Sequence, residues 1–125
     1  MTLWVDENLS PALSRCLDLL EWKINVKYIP EVFEKGIKDK EWIPKIKGDF
    51  VLTGDYKMRL KNYERPILEA NEIGIFFIKF PSKKGLSLYE QIRLVIKHWP
   101  KIVHIMTKES RPFMYKLTNK TIEKI

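Results

Sequence analysis

A chain of 125 residues, 45% apolar and 12% aromatic, can bury one core and is too hydrophobic and aromatic to be intrinsically disordered. Its one cysteine, Cys16, excludes a disulfide framework and a cysteine-built zinc site. The formal net charge of +7 lies at one end: residues 1–72 hold 12 Lys/Arg against 13 Asp/Glu, residues 73–125 hold 11 against 3, and such a positive field attracts nucleic-acid phosphates.

Taken in order, Thr2-Leu3-Trp4-Val5-Asp6 reads as a strand ending on an acid. Ser10-Pro11 reads as an N-cap followed by proline at the first helical position. The helix it opens runs to about Glu21, with Leu13, Cys16, Leu17 and Leu20 on its buried face. Residues 23–29 alternate polar and apolar, which suits a second strand and completes a β-α-β unit. From Pro30 to Gly48 two helical pieces are expected, split near Gly36, with Asp39 capping the second and Pro44 disturbing it.

The apolar run from Asp49 to Thr53 reads as a buried parallel strand at the sheet centre. A short helix over residues 62–71 and a buried strand over 73–80 follow. After the polar loop at Lys83-Lys84-Gly85, Ser87 starts an amphipathic helix with Leu88, Ile92, Val95 and Ile96 on one face. Trp99-Pro100 is expected to break it before a second piece carrying Ile102, Val103 and Met106. His98 and His104 do not share a helical face, so no histidine metal site is expected. Phe113, Tyr115 and Leu117, then Thr118-Asn119-Lys120, then Ile122 form a hairpin pattern at a sheet edge.

Alternating strands and helices make this an α/β fold, a sandwich with a mainly parallel sheet in a single domain over residues 1–125. No run reaches the roughly 20 apolar residues of a membrane span, and the opening residues lack a secretory leader. A cytoplasmic protein without membrane attachment is expected.

In such a sheet Asp6 and Asp55, each at a strand end, would face the crevice where open α/β sheets take ligands. At roughly 4 Å and an effective dielectric near 20, two carboxylates repel by about 4 kcal/mol. A shared proton, a neighbouring Lys or Arg, or a cation such as Mg or Mn would compensate. Between them lies Asp39, which serves equally well as a helix cap. Asp6 and Asp55 also suit polar turns, and Glu64 suits a helix start through the helix dipole.

Three segments together, Val5-Asp6-Glu7-Asn8-Leu9-Ser10-Pro11, Asp39-Lys40-Glu41-Trp42 and Val51-Leu52-Thr53-Gly54-Asp55, resemble a PIN-like domain, in particular the short branch associated with VapC-type toxins. The resemblance spans almost the whole chain and implies a three-layer α/β/α sandwich with a C-terminal hairpin. It implies a Mg- or Mn-dependent endoribonuclease, often inhibited by a protein antitoxin. On it, Asp6, Asp39 and Asp55 match metal ligands, with Glu64 as a further catalytic acid, because Tyr56-Lys57-Met58-Arg59 stands where a second acid often follows Asp55. Asn8, Lys57, Arg59 and Arg65 are the substrate-binding candidates, Arg as a bidentate phosphate fork. RNA, an antitoxin and a second copy in a homodimer are the expected partners. A catalytically silent PIN-like module that binds RNA or protein, and a structure-specific DNA nuclease, are the alternatives.

Overall fold

The computed structural model describes residues 1–20, 23–34, 36–54, 56, 65–81 and 84–125. Expectations that fall on Asp55, Lys57, Arg59, Glu64 and Lys83 lie outside the described residues.

Six strands among the described residues form one sheet: β1 (Thr2–Val5), β2 (Asn25–Tyr28), β3 (Phe50–Thr53), β4 (Gly74–Ile78), β5 (Phe113–Leu117) and β6 (Ile122–Lys124), in the order β2-β1-β3-β4-β5-β6. All neighbours are parallel except the β5–β6 hairpin. Every residue of β3 and β4 is buried. This is why they read as continuous apolar runs: a parallel strand covered on both faces has no solvent side.

Alternation of side chains sorts the strands into two cores. Leu3, Val5, Phe50, Leu52, Phe76 and Ile78 face helix α1 (Pro11–Asp18) and the long C-terminal helix. Trp4, Val51, Ile75 and Phe77 face the opposite layer. That layer is built from α2 (Ile29–Val32), α3 (Asp39–Trp42), a 3-10 helix (Ile43–Ile46) and α4 (Arg65–Asn71). The expected α/β/α layering is therefore present, with a mainly parallel sheet between the helices.

Several local expectations change. α1 stops at Asp18, so Leu20 is exposed and Cys16 only half-buried. The two pieces expected between Pro30 and Gly48 are single turns plus the 3-10 helix that contains Pro44. Lys38, not Asp39, is the N-cap of α3.

The largest correction concerns Pro100, which lies inside α5 (Leu88–Lys108), one continuous helix of 21 residues. Proline removes one intrahelical hydrogen bond, yet here Pro100 is on the exposed side, where water can reach the orphaned Ile96 carbonyl. Trp99, Ile102, Ile105 and Met106 meanwhile pack into the core on either side of it. Burial of those large side chains, each contributing about 1.5–3 kcal/mol, outweighs the local cost. The buried face runs through Leu94, Val95, His98 and Trp99, while Leu88 and Ile96 are exposed. At its start, Ser87 and Glu90 make a reciprocal capping box.

Gly74 pairs with Phe113 across β4 and β5, and the Phe113 ring lies flush on it. A Cβ on Gly74 would meet three ring carbons at 2.3–2.7 Å. Gly74→Ala is expected to lower stability by about 1–3 kcal/mol through overpacking, and Phe113→Leu in that background to recover part of the loss. Urea unfolding of the single and double variants measures both.

In the middle of β5, the Tyr115 hydroxyl donates to the Glu109 carboxylate, which also pairs with Lys124 of β6. Burial first, then the Glu109 hydrogen bond and charge, push the Tyr115 phenol up to about 12. A phenol whose pKa is raised in the fold stabilises it below the unfolded value near 10 and loses that contribution as pH rises to about 12. Stability should therefore fall across this window, and Tyr115→Phe should flatten the fall. Urea midpoints on either side of the window decide it.

Candidate active site

Strand order reverses between β1 and β3: β2 lies on one side of β1, and the chain then crosses to the other side to form β3. Parallel α/β sheets open a crevice at such a switch, outside the C-terminal strand ends. Asp6 follows β1 at that edge, with its backbone N–H donating to Leu52 O at 3.0 Å.

Asp6 is 2% exposed. A carboxylate taken so far from water needs hydrogen-bond donors. Oδ1 accepts the Glu7 N–H at 2.8 Å and Oδ2 accepts the Thr53 hydroxyl at 2.8 Å. Thr53 Oγ1 also lies 3.4 Å from Asn8 Oδ1. With only one proton to give, the shorter contact to Asp6 is the bond. Thr53 was outside the sequence-derived site; its signal was a lone hydroxyl closing an otherwise apolar strand.

Asn8 clasps the end of β3. Its Nδ2 donates to Gly54 O at 2.8 Å and its Oδ1 accepts Gly54 N–H at 3.0 Å. Flipping the amide would lose both bonds, so its orientation is settled. Gly54 is wedged between side chains, where an added Cβ would lie 2.5 Å from Phe80 and 2.9 Å from Leu9. A side chain at Gly54 would have to displace the Phe80 ring and the end of Leu9, and the chain then continues to Asp55, outside the described residues. Beyond it, Tyr56 packs edge-on against Phe77, with ring centroids 5.7 Å apart.

Asp39 reaches the same crevice from α3. It is the first helical residue, and its Oδ1 accepts the indole N–H of buried Trp42 at 2.9 Å. The i to i+3 spacing on one helical turn makes that contact. Asp6, Glu7, Glu34 and Asp39 share a cleft of about 40 Å³ with Phe33 and Trp42, more than the roughly 10–15 Å³ a cavity needs to admit one water. Glu7 and Glu34 are acids the sequence reading had not singled out. Nearby, the Tyr28 hydroxyl reaches Leu9 O at 2.9 Å and Glu7 O at 3.2 Å. Burial first, and then the charges of Asp6, Glu7 and Glu31, raise its pKa above the usual tyrosine value.

The metal-binding groups here are carboxylate oxygens, with neither imidazole nor thiolate among the described residues of the cleft lining. That chemistry fits a hard cation such as Mg or Mn. Among the described residues, no three His, Cys, Asp or Glu side chains stand close enough to hold one ion. Arg65 is exposed on α4 and pairs at 4.0 Å with Glu69, an i to i+4 contact of the kind that contributes little.

A family model described as "PIN like domain" matches residues 1–80. The matched span contains β1 to β4, Asp6, Asn8, Asp39 and the Thr53-Gly54 strand end, and it stops before α5. No curated protein and no solved structure matches the chain. PIN-like domains are generally nucleases that bind nucleic acid and typically use divalent metals. With the switch-point crevice, the carboxylate lining and the family match in agreement, the chain belongs to the PIN-like domain family.

Proposed function

We propose that this protein is a metal-dependent endoribonuclease of the VapC-like kind, the toxin of a toxin-antitoxin pair, hydrolysing RNA phosphodiester bonds. What carries the reading is the buried Asp6 carboxylate at the β1–β3 switch, lining one cleft with Asp39. Asp6, Asp39 and Asp55 are the residues that would hold Mg or Mn. A cation bound there would lower the pKa of a water and offset charge on the attacked phosphate.

The chain's own groups do the positioning. Thr53 and the Glu7 N–H hold the two Asp6 oxygens in place, and Trp42 does the same for Asp39. Such supporting hydrogen bonds orient ligands to a metal. Asn8 acts through Gly54, fixing the strand end that leads to Asp55. Asp55, next in sequence after Gly54, is the proposed third ligand. Lys57, Arg59 and Arg65 are proposed to bind the flanking phosphates, and Glu64 to act as the further acid.

One observation favours a second reading, a binding module without catalysis. Tyr56-Lys57-Met58-Arg59 contains no acid after Asp55.

Asp6→Asn and Asp55→Asn are each expected to abolish manganese-stimulated cleavage of single-stranded RNA while leaving the circular dichroism spectrum unchanged. Chelation of the metal should do the same to the unaltered protein. Full cleavage by both variants would exclude this site, and metal-independent RNA binding without any cleavage would establish the second reading.

A further inference from the structure

β1, β3, β4 and β5 run parallel, so the residues after each share one edge of the sheet. Its β1 end carries the acidic cleft. Its β4–β5 end has the opposite sign.

There, two adjoining clefts of about 330 and 270 Å³ share Asn119 and Lys120 in the β5–β6 turn. Arg93 and Lys97 of α5 line the first, and Lys79, just after β4, lines the second. Among the described lining residues the one carboxylate, Glu90, accepts the Ser87 N–H at 3.1 Å within the capping box. Among the described residues, Lys79, Arg93 and Lys120 make no ion pair with a carboxylate. Three cations are left unneutralised around one groove.

The groove is also held in shape. Lys97 Nζ donates to Asn119 O at 2.5 Å, and His98 Nε2 bonds Thr118 O at 2.7 Å. Two consecutive side chains of α5 thus hold two consecutive carbonyls of the turn. Thr118 Oγ1 accepts the N–H groups of Lys120 at 3.2 Å and Thr121 at 2.9 Å. A turn tied at four points loses little freedom on binding, which favours affinity.

We propose that this groove, formed by Lys79, Arg93, Lys97 and Lys120, is a second phosphate-binding subsite that grips the backbone of single-stranded nucleic acid away from the cleavage cleft; its substrate class rests on the nuclease reading. Three strand spacings separate β1 from β5, about 14 Å. At about 3.4 Å per stacked nucleotide this is roughly four nucleotides. The strand would therefore enter over the cations and reach the carboxylates a few nucleotides later. Phosphate contacts of this kind set register and affinity without reading sequence.

The test is fluorescence anisotropy of a labelled oligonucleotide of about twelve residues, as RNA and as DNA, with chelator present so that nothing is cut. Lys79→Gln/Arg93→Gln/Lys120→Gln removes three exposed charges. The slope of log affinity against log salt should shrink by about 2, at about 0.7 per lost phosphate contact on a single strand. Lys40→Gln/Lys45→Gln/Lys47→Gln, equal in charge and in the α3 to 3-10 region, should keep the slope. Equal loss with both polymers assigns the groove to phosphates alone; loss with RNA only assigns part of it to the 2′-hydroxyl. An unchanged slope, an equal loss in the control, or displacement of the RNA by polyglutamate at matched charge would overturn the subsite. An unchanged slope beside Asp6-dependent cleavage would remove the subsite and leave the nuclease; the reverse would remove the nuclease and leave the subsite.

Discussion

Burying the Asp6 carboxylate is the constraint around which this end of the molecule is organised. At 2% exposure it has lost nearly all its water, and an isolated charge in that position would be very costly. Two donors among the described residues come from different places: the Glu7 N–H from the turn it sits in, and the Thr53 hydroxyl from 47 residues away. The second exists only if β3 lies directly beside β1 in register, with Val5 opposite Leu52. A slip of β1 by one residue would turn Trp4 into the wrong core and take Asp6 away from the Thr53 hydroxyl. Packing and site geometry thus enforce the same register.

The sheet edge that results is electrically divided. Carboxylates from the β1 turn and from the α2–α3 region gather at one end, and lysines and arginine from α5 and the hairpin gather at the other. On the proposed reading each group needs the other, since acids without cations would repel a phosphodiester and cations without acids would bind it without a place for a metal. A mainly parallel sheet brings both groups to one edge, because the C-terminal ends of β1, β3, β4 and β5 face the same way. The family match ends at residue 80, so the acidic half lies within the matched span and most of the basic half lies beyond it.

Much of this was legible in the residue order. Ser10-Pro11 and Ser87 mark helix starts because a hydroxyl N-cap and a first-turn proline act locally. β3 and β4 were legible because a strand buried on both faces must be apolar throughout. Pro100 was misleading for a matching reason. Its local cost is visible in the sequence, whereas the compensating burial of Trp99, Ile102, Ile105 and Met106 depends on a sheet assembled from distant segments. Asp39 shows the same limit on a smaller scale. A cap and a site residue look alike in sequence, and only the Trp42 indole and the shared cleft with Asp6 distinguish its place.

By itself the sequence determined the fold class, the acid Asp6 at the end of β1 and the concentration of positive charge in the last part of the chain. These follow from periodicity, local caps and composition, which act over a few residues or over the chain as a whole. Tertiary structure alone decided that Thr53 supports Asp6, that Asn8 clasps Gly54, and that Lys79, Arg93, Lys97 and Lys120 line one groove. Each of these joins residues far apart in the chain, and a hydrogen bond or a shared field acts over a few ångströms of space, whatever the separation in sequence.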